Sequence, residues 1–174
     1  MSITHEQIDK ILAFVDANPA ATPESKSVLA LDIVNFQNNF NAKIQTFLDT
    51  CQFDDDETIE IMTKLFLIKE PQIFTSEEGK LFMNMFGDRT AIFGVSGNDE
   101  RLKLLTCVYT TPEDTDENTL SSMVLNYFVM TLLPGVDAES FLRELSTTGQ
   151  KVSGGMNFSI AADGNLIFVT AVAE

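Results

Sequence analysis

The residues of this 174-residue chain that could do chemistry are few and scattered. His5 is the single histidine, so any Ser-His-Asp or Cys-His arrangement would have to use it. It stands near the N-terminus, where a surface histidine is expected. Gly94-Val95-Ser96-Gly97 resembles part of a nucleophile elbow in composition. It precedes a strand rather than a helix, so the strand-to-helix turn that exposes a nucleophilic serine is missing. No Walker A, GxGxxG or HExxH string occurs. Glu113, Asp114, Asp116 and Glu117 cluster ahead of the longest apolar segment. Acids there suit the positive end of a helix dipole better than catalysis. Asp54-Asp55-Asp56-Glu57 lacks the alternating ligands and central glycine of an EF-hand and reads as a solvated loop. Arg89, Arg101 and Arg143 are the only arginines, and the first candidates for gripping an anionic group. Cys51 and Cys107 sit in no CxxC or histidine cluster, so zinc is not indicated. They read as one disulfide of an exported chain or as two buried thiols, and their spacing does not choose. No cofactor is predicted.

Composition narrows the classes. The net charge of −15 comes from 11 basic and 26 acidic residues. Such a field repels phosphate backbones and anionic membrane surfaces, so nucleic-acid binding and membrane insertion are not expected. The chain has 14 Phe and 7 Met, no Trp and two Tyr. Phe and Met in that number build a core or line an adaptable apolar surface. The length suits one domain that buries roughly 70% of its unfolded surface without help from metal. The first residues lack the basic and apolar regions of a secretory signal, which favours a cytoplasmic protein, or an exported one whose signal has been removed.

The element meant to organise the fold is Thr119–Gly135. Its apolar residues recur at three and four, with Asp116 or Thr119 as cap and Pro134-Gly135 as stop. A helix that apolar needs a sheet over it. Ahead of it, Ser2–Asn18 reads as an amphipathic helix with Thr4 and Gln7 as a capping box. Val28–Cys51 reads as a second helix with Ile33, Phe36, Phe40, Ile44 and Phe47 on one face. Ile73–Ser76 is short. Lys80–Phe86, Thr90–Ser96 and Arg101–Tyr109 form an antiparallel meander, with a bulge or two-sided burial signalled where the alternation slips between Leu104 and Leu105. Val136–Ser146 reads as a helix capped by Asp137 and closed by Gly149. A C-terminal hairpin turns at Asp163-Gly164, and its second strand is apolar on both faces, as inside a sheet.

The expected fold is α+β. A mostly antiparallel sheet of about five strands, a three-strand meander plus the hairpin, carries helices packed on one face, with two N-terminal helices. Residues 1–27 form a helix and linker able to move apart from a single α+β domain at 28–174. Phe36, Phe40, Phe47, Met123, Tyr127, Phe128, Phe158 and Phe168 are the expected core. Three functions stay open. The leading one is a non-enzymatic interaction protein that holds a protein partner or a second copy of itself through a Phe/Met-rich apolar surface. The alternatives are a small hydrolase built on scattered carboxylates and an exported or surface-anchored domain. If the first helix is a docking arm, Ile3, Ile8, Ile11 and Val15 are its partner-binding stripe.

Overall fold

The computed structural model describes residues 4–19, 29, 32–50, 72–76, 79–86, 89–97, 101–110 and 115–173. Four helices are described: α1 (His5–Ala17), α2 (Ile33–Thr50), α3 (Thr115–Leu132) and α4 (Ala138–Thr148). They accompany seven strands: β1 (Gln72–Ser76), β2 (Gly79–Phe86), β3 (Thr90–Ser96), β4 (Leu102–Thr110), β5 (Gln150–Ser153), β6 (Met156–Asp163) and β7 (Leu166–Ala173). The class is α+β. The strands form one antiparallel sheet in the order β1-β2-β3-β4-β7-β6-β5. The C-terminal hairpin therefore joins the meander through β4 and β7, and β1 and β5 are the edges.

The sheet has two strands more than expected, and both extra strands are edges. Gln72–Ser76 and Gln150–Ser153 are five and four residues long and mostly polar, too short to carry an alternation signal. Their strand character comes from the neighbour they pair with. Gly154-Gly155, with φ of 60° and 76°, forms the two-residue turn between β5 and β6. The turn between β6 and β7 is Gly164-Asn165, one residue later than expected, because Asp163 pairs with Leu166.

Helices cover both faces of the sheet, not one. On the first face α2, α3 and α4 bury Phe82, Phe86, Ile92, Leu105, Cys107, Phe158 and Val169. On the other face α1 packs Ile11 with Ala91, Phe93, Val108, Leu166 and Phe168, and Phe14 stacks on Phe168 with ring centroids 4.2 Å apart. The alternating register separates these sets: Ile92 and Cys107 face one way, Phe93 and Val108 the other. β7 feeds both cores, as its two-sided apolar sequence predicts. Between β3 and β4 the register slips at Val95 and Ser96, which pair with Leu104 and Leu102 and leave Lys103 of β4 as the extra residue. The bulge is thus one position nearer the strand start than the sequence slip suggests.

The helices begin where side chains can satisfy backbone N–H groups. Thr4 and Gln7 form the expected capping box on α1. Asp32 caps α2, accepting from the Asn35 N–H at 2.7 Å. Asp137 caps α4, and Gly149 closes it with φ of 79°. α3 starts at Thr115, so Asp116 and Thr119 lie inside the helix and neither caps it. It buries Val124, Leu125, Phe128, Val129 and Leu132 between the sheet and its neighbouring helices, and the Thr90 and Ser121 hydroxyls share a buried 2.7 Å hydrogen bond beneath it.

Of the expected core, Phe36, Phe40, Phe128, Phe158 and Phe168 are fully enclosed. Met123 and Tyr127 pack at its margin and stay half-buried, because they project beside the seam rather than onto the sheet. The Phe47 side chain, the predicted linker at 20–27 and the acidic run at 54–57 lie outside the described residues. Among the described residues no helix is long and apolar enough to cross a membrane.

Candidate functional site

Among the described residues the chemically capable side chains do not converge. His5 is exposed in the first turn of α1. Arg143 is exposed and pairs with Glu139 one turn earlier at 3.1 Å. Arg101 is exposed beside its bridge to Asp32, and Arg89 is half-buried at the start of β3, its carbonyl accepting from the Thr110 N–H. Cys107 is a free, fully buried thiol whose pKa burial pushes up to about 12, which removes its nucleophilic form at neutral pH. Burial, and next the neighbouring Cys107, raise the Tyr109 pKa as well. Cys51, Glu113 and Asp114 lie outside the described residues, as do the side chains of Asp116 and Glu117. Among the described residues no three His, Cys, Asp or Glu side chains gather as metal ligands.

Two acids do share a concavity. Asp137 and Glu139 line a hollow of about 390 Å³ with Met123, Tyr127 and Met130. Both are exposed and committed elsewhere, Asp137 to the α4 cap and Glu139 to Arg143. A groove of about 600 Å³ between α2 and α3 has a mixed lining that includes Asn39, Lys43, Tyr127 and Met130.

The first helix is placed differently from a free arm. Ile11 and Val15 are 0% and 2% exposed against the chain's own sheet, and Ile8 is half-buried. Ile3 lies outside the described residues. Gln7 ties the helix down further by donating to Asn165 in the β6–β7 turn at 3.0 Å. A partner could reach this stripe only after α1 left the sheet.

Among the described residues the large apolar side chains at least half exposed are Val34 on α2, Val152 on β5 and the adjacent Ile73 and Phe74 on β1. Ile73 is 50% and Phe74 55% exposed. Of the eleven phenylalanines whose side chains are described, nine are buried and Phe14 is half-buried, so Phe74 stands apart. β1 pairs with β2 on its inner side, Phe74 opposite Leu81 and Ile73 opposite Phe82. Ile73 therefore points to the face of α2, and Phe74 to the face of α1. Beside Phe74 a pocket of about 270 Å³ opens between the end of α1 and the sheet. Leu12, Val15, Leu81 and Val95 form its apolar wall, with Asp16 and the bulge residue Lys103 as polar groups. Open strand, exposed aromatic ring and pocket make one continuous surface. The sequence hides it because edge position depends on strand order, which no local pattern encodes.

No protein-family model matches the chain, and no curated protein or solved structure matches it.

Proposed function

We propose that this chain is a non-enzymatic interaction protein that binds an extended protein segment along the open edge of β1. The carrying observation is Phe74: a large apolar ring, 55% exposed, on an edge strand, where every other phenylalanine with a described side chain is buried or half-buried. A sheet edge offers a row of backbone donors and acceptors, and a neighbouring pocket supplies side-chain selectivity. The net charge of −15 keeps a surface with such an apolar strip dispersed and disfavours nucleic acid as the partner. A free Cys107 thiol suits a reducing compartment such as the cytoplasm.

Photocrosslinking tests this reading. A benzophenone amino acid replaces Phe74 in the native host, with the same probe at Val34 as control, a residue on α2 of equal exposure at 52%. The expected result is a discrete protein adduct from position 74 that is absent from position 34. No adduct at 74, or the same products from both positions, would remove the edge as a binding site.

A further inference from the structure

We infer that the pocket between the end of α1 and the sheet is a binding site for a small organic carboxylate with an apolar body. This goes beyond the interaction reading above, since no strand needs to join β1 for it to hold.

The bulge supplies the cation. Lys103 is the extra residue where β3 and β4 slip, and it lines the pocket while only 8% exposed. A lysine is rarely enclosed to that degree, and bulges recur where a strand re-aims a side chain beside a site. Lys80, half-buried on β2, lines the same pocket. Among the described residues of the lining, Asp16 is the one acid. It is exposed on the last turn of α1, where water weakens its pull. The whole chain has 11 basic residues against 26 acidic ones, so this lining reverses the prevailing sign. An ammonium has three donors, so bonds made within the chain leave donors for a ligand.

The walls define the rest of the ligand. Leu12 and Val15 of α1 face Leu81 and Val95 of the sheet, and the exposed Phe74 ring completes the lining. Apolar walls with a few placed polar groups are the usual form of a small-molecule site. The pocket encloses about 270 Å³. At the ~30 Å³ that a molecule takes in liquid water, this is room for about nine non-hydrogen atoms. Benzoate is of that size.

Charge decides among guests that fit. An uncharged apolar guest strips water from the lysines and gives no bond in return. A cationic guest is repelled by them. Inorganic phosphate satisfies the lysines but leaves the apolar walls wet. A carboxylate on an apolar body answers both, with a charge-assisted hydrogen bond at one end and apolar contact at the other.

The test is an NMR titration of the isotope-labelled full chain. Benzoate, or its open-chain counterpart hexanoate, should move the amide signals of Leu12, Asp16, Leu81 and Lys103 and saturate in the millimolar range or below. Benzamide, uncharged and of the same shape as benzoate, should bind at least about tenfold more weakly. Benzylamine, the cationic counterpart, should not bind. Lys103→Met keeps the length of the side chain and removes its charge, so it should weaken benzoate at least about tenfold and leave benzamide unchanged. Leu12→Glu, at a half-buried position on α1, sets a carboxylate at the pocket and should also exclude benzoate. It keeps the test decisive should Lys103→Met fail to fold. Absence of saturable shifts with benzoate and hexanoate alike overturns the site. So does an affinity for benzylamine or inorganic phosphate equal to that for benzoate. Shifts that saturate away from the pocket, or persist undiminished in a folded variant, overturn its location. A crosslink at position 74 reports on the β1 edge alone, so failure there and failure here are separate results.

Discussion

Gly94 lies directly opposite Phe82 in the β2–β3 pair, and the phenylalanine ring occupies the space a side chain would need. A Cβ built at Gly94 falls 2.6 Å from Cζ and 2.7 Å from Cδ1 of that ring, and closer still to Cε1. The ring has nowhere to go: Phe82 is fully buried and packs against Phe36, with centroids 6.3 Å apart. Adding one methyl to a closed site costs about 1–3 kcal/mol, and the overlap here calls for the upper end. Gly94→Ala should therefore destabilise the fold by about 3 kcal/mol. With a urea m-value of about 2 kcal/mol/M, the unfolding midpoint drops by about 1.5 M. The cause can be isolated by trimming the ring. Phe82→Leu opens room for the new methyl, so the double variant Gly94→Ala/Phe82→Leu should cost less than the sum of the single changes by about 1 kcal/mol or more. Urea titration followed by circular dichroism reads all four corners of the cycle. A wild-type midpoint for Gly94→Ala, or two costs that simply add, would refute the packing argument and return Gly94 to a matter of backbone preference.

Two further outcomes follow from buried groups. The Thr106 and Thr170 hydroxyls bond each other at 3.0 Å across β4 and β7, both buried on the α1 face. Thr106→Val alone leaves a buried hydroxyl without its partner and should cost about 1–3 kcal/mol, whereas the double valine variant should be near neutral, as read by urea titration. Cys107 links stability to alkaline pH: its pKa rises from 9.0 to about 12 on folding, so the folded state holds a proton that the unfolded state releases. Stability from this group is intact below pH 9.0 and lost as pH climbs towards 12, by up to about 1.4 kcal/mol per unit. In a Cys51→Ser background, Cys107→Ala should flatten that part of the stability profile, and the parent thiol should react with a disulfide reagent only as the chain unfolds.

The sequence by itself determined the parts of the fold whose signals are local. Thr4 with Gln7, Asp137 and Gly149 mark helix ends because capping needs only side chains and backbone within one turn. The stripe Ile33, Phe36, Phe40, Ile44 and the alternation of β2 mark buried faces because periodicity is a property of the element alone. Even β7's place inside the sheet was legible, since apolar residues on both faces need cover on both. Only the tertiary structure decided which face each helix covers and which strands end the sheet. α1 has a stripe that would fit either face; the complementary surface of Phe93, Val108 and Phe168 places it opposite α2, α3 and α4. Ile73 and Phe74 look locally like any buried strand residues. They are exposed because, among the described residues, β1 has a neighbour on one side alone, and that follows from the order in which distant strands pair.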